Sequence, residues 1–141
     1  MRFTFTVPGK PQGKGRPRFT KSGRTYTPRK TSEYEALIKR MYLLQGGKLF
    51  ETAVRLSVLI LYPIPKNTPM KKRQLMTNGN DLPTKKPDGD NVEKAVADAL
   101  NGVAYNDDSQ IVVAQWEKRY ASDNDHVGLV VTVSDENLAE T

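Results

Sequence analysis

Asp88-Gly89-Asp90-Asn91-Val92-Glu93-Lys94-Ala95-Val96-Ala97-Asp98-Ala99-Leu100-Asn101-Gly102 is the stretch on which the fold turns. At about 100° per residue, Val92, Ala95, Val96, Ala99 and Leu100 fall on one side of a helix. Asn91, Lys94 and Asp98 fall on the other. The pattern predicts a helix from about Asn91 to Asn101, N-capped by Asp90. Glu93, three residues on, completes a capping box, and Gly102 ends the helix. A helix apolar on one side needs a second layer to bury that side, so its neighbours decide the architecture.

Upstream, Ala53 to Tyr62 reads as a central strand, ended by Pro63 and Pro65. Pro69 to Met76 reads as a short helix with Thr68 as cap and Pro69 in first position. Nearer the N-terminus, Phe3, Phe5 and Val7 alternate with polar residues, which predicts a half-buried strand. Tyr34, Leu37, Ile38, Met41 and Leu44 make a helical stripe, capped by Thr31 or Ser32 and stopped by Gly46-Gly47. Downstream, Ile111–Tyr120 and Val127–Val133 read as two strands joined by Ser122-Asp123-Asn124-Asp125, an antiparallel pair. The order is β-α-β-(short α)-α-β-β. It implies an α/β (α+β) two-layer sandwich with a mixed sheet and helices on one face. A single domain over 1–134 and a frayed tail over 135–141 are expected.

The charge is unevenly placed. The chain has 141 residues and a net charge of +6. The first 48 residues hold twelve basic side chains against Glu33 and Glu35 alone, so the remainder is acidic in balance. Lys10, Lys14, Arg16, Arg18 and their neighbours lie in a basic loop, 9–30, rich in Gly and Pro. A small hairpin around Ser22-Gly23 is expected within it. Such a segment suits a polyanion. There is no cysteine, which excludes disulfides, thiolate metal sites and cysteine nucleophiles. Met1 to Val7 alternates as a strand and not as a signal peptide, and no apolar run is long enough for a membrane span, so a cytoplasmic protein is expected.

Within this basic chain, Asp88, Asp90, Glu93, Asp98, Asp107 and Asp108 crowd a short interval. Clustered carboxylates repel phosphate unless a cation lies between them, and Mg²⁺ takes carboxylate and phosphate oxygens together. The first reading is thus a metal-dependent nuclease. A plainer reading also stands: Asp90 caps, Lys94 pairs with Asp98, and Asp88 occupies a turn. It leaves Asp107-Asp108 unexplained. His126, the only histidine, and Glu117 read as surface residues, and Trp116 reads as core.

Lys86-Pro87-Asp88-Gly89-Asp90-Asn91, Lys94, Asp98-Ala99-Leu100-Asn101-Gly102 and Asp107-Asp108-Ser109-Gln110-Ile111 together resemble the RusA family of Holliday junction resolvases. Val7-Pro8-Gly9-Lys10-Pro11 and Lys14-Gly15-Arg16-Pro17-Arg18 resemble a branch of it common in phages and prophages. The resemblance runs from about residue 3 to 133. It implies a homodimeric endodeoxyribonuclease, dependent on Mg²⁺ with Mn²⁺ as a substitute, that hydrolyses phosphodiesters symmetrically in four-way DNA junctions. By position, Asp88, Asp90 and Asp108 would hold the metal, with Asp107 beside them, and Lys94 matches the lysine important for cleavage. Lys10, Lys14, Arg16, Arg18 and Lys86 are the expected DNA contacts. The alternatives are a nuclease for other branched or flap DNA, and a non-catalytic DNA-binding module of the same fold.

Overall fold

The computed structural model describes residues 1–139. In chain order its elements are strand β1 (Arg2–Pro8), the short strands β2 (Arg18–Phe19) and β3 (Thr25–Tyr26), helix α1 (Arg29–Leu44), strand β4 (Val54–Tyr62), helices α2 (Met70–Thr77) and α3 (Gly89–Ala99), and strands β5 (Ile111–Tyr120) and β6 (Gly128–Ser134). Single 3-10 turns precede β5 and β6. The expected tail ends in Glu140 and Thr141, which lie outside the described residues. No helix among the described residues is long and apolar enough to cross a membrane.

Four strands form one mixed sheet in the order β1-β6-β4-β5. β6 runs antiparallel to both β1 and β4, whereas β5 runs parallel to β4. The expected β5–β6 hairpin is therefore incorrect; the chain steps over β4 between them. Burial explains the order. β6 buries Leu129, Val131 and Val133 and lies centrally between apolar partners. β5 carries exposed Gln115, Trp116 and Glu117 and takes the edge, where charge blunts further pairing.

The core lies between one sheet face and two helices. β4 turns Val54, Leu56, Val58, Ile60 and Tyr62 inward, all at most 2% exposed. α3 meets them with Val92, Val96 and Leu100. α1 contributes Tyr34, Ile38 and Tyr42. Leu44, assigned to that stripe by periodicity, is instead 70% exposed. Tyr42 takes the inward position, packs edge-on against Phe5, and donates its hydroxyl to the Lys48 carbonyl. α2 touches the edge strand β5.

The helix starts differ from those expected, and two of the differences shape the site. α1 is capped by Pro28, not Thr31 or Ser32; Thr31 lies inside the first turn, and its hydroxyl oxygen accepts the Gly15 N–H at 2.8 Å. α2 begins at Met70 with Pro69 as its cap. α3 begins at Gly89, so Asp88 is the N-cap residue and Asp90 lies inside the first turn, without the predicted capping box.

Candidate active site

The site forms where α3, the turn before β5 and the basic loop meet. Asp88 stands at the mouth of α3, its carbonyl accepting the Val92 N–H at 3.1 Å. The preceding Pro87 is tied to the core, since the Tyr62 hydroxyl donates to its carbonyl. Gly89 is buried directly under the indole of Trp116, where a Cβ would land inside the ring. Trp116 is thus neither core nor a free platform. It is 47% exposed and holds the first turn of α3 in place with the ring face that meets Gly89. Gly89→Ala is expected to cost about 1–3 kcal/mol by overpacking. Trp116 is the only tryptophan, so a shift in intrinsic fluorescence alongside a lower urea midpoint checks this. Unchanged emission and midpoint would show that the contact is slack.

Asp107 and Asp108 are separated in role by the turn that follows. Asp107 caps it, with one carboxylate oxygen accepting the Ser109 N–H at 3.0 Å. These bonds hold the Asp107 carboxyl below its usual range. Gln110 closes a capping box by accepting the Asp107 N–H at 3.3 Å; it also accepts the Asn106 N–H at 2.9 Å, and its amide reaches the carbonyls of Phe50 and Thr52 at 3.0 and 2.9 Å. The capping box predicted for α3 therefore occurs here, in the Asp-Asp-x-Gln segment. It fixes the backbone and leaves Asp108 turned toward α3.

Asp108 faces other carboxylates. Burial first, then the fields of Asp107 and Asp98 and direct contact with Asp98, hold its carboxyl above the usual range. Glu93 is raised too, by burial and then by the fields of Asp98, Asp90 and Asp108. Beneath them the buried Tyr105 hydroxyl donates to the Ala97 carbonyl at 2.6 Å, and burial together with Asp108, Glu93 and Asp98 pushes its ionisation far up. Asp90, Glu93, Asp98 and Asp108 thus share one electrostatic neighbourhood. From the sequence Glu93 reads only as a capping residue. The signal for its role was on the helical wheel, where it flanks the apolar stripe at about 100° from Val92.

The basic residues divide in the same way. Lys10, Arg16, Arg18, Lys86 and Lys94 are exposed. Lys14 is not: its ammonium bonds to Glu35 at 3.1 Å and to Asp98, and its side chain is 21% exposed. Burial alone would lower its pKa, but the bonds from Asp98 and Glu35 outweigh burial and raise it. Its backbone N–H also donates to the Asn91 carbonyl at 3.2 Å. Gly13 runs close against Asn91 and Pro87, where a Cβ would lie only 3.2–3.3 Å from their side chains. The first part of the basic loop is thus strapped across α1 and α3. The plainer pairing of Lys94 with Asp98 does not occur. Asp98 belongs to Lys14, and Lys94 makes no hydrogen bond or ion pair among the described residues.

The family model for endodeoxyribonuclease RusA matches residues 8–134. The chain belongs to the RusA endodeoxyribonuclease family. A Bacillus subtilis (strain 168) protein named YqaN is 35% identical over 127 residues, covering 84% of this chain and 88% of that one.

A divalent cation fits the donor chemistry of the site. Carboxylate oxygens are hard ligands, and burial together with the fields of neighbouring carboxylates raises the carboxyls of Glu93 and Asp108. Among the described residues no three such groups converge as a ready-made cage. Mg²⁺ takes part of its ligand shell from substrate phosphate and water as well as from carboxylates.

Proposed function

We propose that this RusA-family chain is a divalent-metal-dependent endonuclease that resolves four-way DNA junctions by paired nicks. One observation carries the reading: the carboxylates of Asp90, Glu93, Asp98 and Asp108 cluster where α3 meets the turn before β5, beside a strongly basic arm that Lys14 ties to Asp98. A protein that only bound DNA would gain nothing from acids placed against phosphate.

Asp88, Asp90 and Asp108 would hold Mg²⁺, or Mn²⁺ in its place. When bound, that ion polarises the phosphate and makes water nucleophilic near neutral pH. Asp107 serves the site through the backbone turn it caps. Lys94, exposed on the same helix, offsets negative charge that builds on the phosphate oxygens during displacement. Asn91 and Lys14 hold the strap against α3. Lys10, Arg16, Arg18 and Lys86 contact the DNA backbone, which gives affinity without base readout. Replacing Arg16 and Arg18 by Ala is expected to flatten the slope of log affinity against log salt by about 0.9 per lost contact. Lys14→Ala should leave that slope nearly unchanged, because its charge is already matched inside the protein. Equal slope changes for all three would place Lys14 on phosphate instead.

A four-way junction has near-two-fold symmetry, which a C₂ dimer matches with one site per opposed strand. The sheet face away from α1 and α3 offers the surface for a second copy. Leu59, Leu61, Val130 and Thr132 lie there half-buried. The test is cleavage of a panel of equal-length substrates (four-way junction, flap, linear duplex) with the protein's mass measured by sedimentation. Paired nicks confined to the junction and a mass of two chains support the reading. Preference for flaps would favour the alternative nuclease.

A further inference from the structure

The arm beyond the strap carries a side chain that phosphate contacts do not explain. β2 and β3 pair Arg18 with Tyr26 and Phe19 with Thr25. The turn between them is closed by Thr20 N–H to Arg24 C=O at 2.7 Å and Gly23 N–H to Thr20 C=O at 3.0 Å. Gly23 adopts a positive φ of +83°, which glycine tolerates without strain. The hairpin is therefore formed, and it holds Phe19 in solvent. At 74% exposure Phe19 is the most exposed large apolar side chain among the described residues. A lone exposed apolar residue is ordinary. This one lies within Lys14 to Lys30, which contains no acidic residue.

Charge decides the partner. An arm that carries Arg16, Arg18, Lys21 and Arg24 in the same segment as an exposed aromatic ring suits a polyanion with flat apolar faces, and nucleic-acid bases have such faces. Bases inside a duplex already stack on one another, so the ring gains most from a base that has lost its neighbour. The root of the arm adds position. The Lys14 ammonium is held by Asp98 and Glu35, and Gly15 N–H donates to Thr31 at 2.8 Å. Asp98 in turn touches Asp108. The five residues from Lys14 to Phe19 reach at most about 17 Å, or about five nucleotide steps of 3.4 Å.

We infer that Phe19 is a specificity-determining residue that stacks on an unpaired base at the branch point, within a few nucleotides of the phosphate held at the carboxylates. The inference rests on the nuclease reading and extends it from backbone affinity to recognition of shape.

The experiment compares wild type, Phe19→Ala and Phe19→Trp, binding a junction and a linear duplex in Ca²⁺. The junction carries 2-aminopurine at the branch point. Phe19→Ala should bind the junction about tenfold more weakly, the size of one lost base stack. Its duplex affinity and salt slope should stay as in wild type. The fluorescence change that wild type produces should vanish in Phe19→Ala and return in Phe19→Trp. Equal loss on both substrates would make Phe19 a general contact or a prop of the hairpin, and overturn the inference. Unchanged junction affinity and fluorescence would overturn it as well. Both results leave the nuclease reading intact if wild type still cuts the junction. Wild-type protein that neither prefers nor cuts it sinks both.

Discussion

Asp108→Asn is expected to abolish junction cleavage, by at least about a hundredfold, while making the metal-free protein more stable at neutral pH. The two effects have one cause. Asp108 lies against Asp107 and Asp98, and its folded-state carboxyl is raised above the unfolded value. The folded state then binds more protons than the unfolded state across that window, so stability falls as pH rises through it. Above the window the charged Asp108 is a standing cost. Asparagine keeps the shape and removes the charge, so Tm should rise by a few degrees, about the shift that 1 kcal/mol gives. The gain should shrink as the pH falls through the raised folded-state range and be gone below about 4, where Asp108 is protonated in the folded and unfolded states alike. Thermal melts in EDTA across that range, with single-turnover cleavage in Mg²⁺, check both halves. A variant that cuts normally removes Asp108 from the site. A variant that is less stable at neutral pH shows that Asp108 is a structural anchor.

Lys94→Ala is expected to slow single-turnover cleavage by about a hundredfold with junction affinity in Ca²⁺ retained. The helix tolerates the change, because the side chain is exposed, makes no bond among the described residues, and alanine is the better helix former. Two other outcomes are informative. Loss of binding without loss of maximal rate would make Lys94 a phosphate anchor. No change in either would make it a solvated helix residue.

What sequence could reveal here was mostly local. The apolar side of α3 follows from a 3.6-residue period, and Val92, Val96 and Leu100 are buried as that period requires. The hairpin around Gly23 was legible from its turn residues. The start of α3 was not. Asp88 and Asp90 both suit a cap, and the choice of Asp88 goes with Gly89 being seated under Trp116, a contact made across the chain. The strand order was hidden for a similar reason. β5 and β6 follow one another, but β6 buries more apolar surface between β1 and β4 than it would beside a charged edge strand. The Lys14–Asp98 bond joins residues 84 positions apart, so no local pattern announces it. Its effect is nevertheless large for the reading. It ties up one lysine of the basic loop inside the protein and leaves Asp98 unavailable to Lys94.

The central claim is that carboxylates on α3 and before β5 cut a DNA junction only with a divalent cation. The most direct measurement is a synthetic four-way junction, labelled on each strand, incubated with the wild-type protein in Mg²⁺ and in EDTA. The account predicts paired nicks at matching positions in opposed strands with Mg²⁺, and an intact but protein-bound junction in EDTA. Equal cleavage in EDTA, or no cleavage in Mg²⁺ or Mn²⁺ by folded protein that binds the junction, would contradict it.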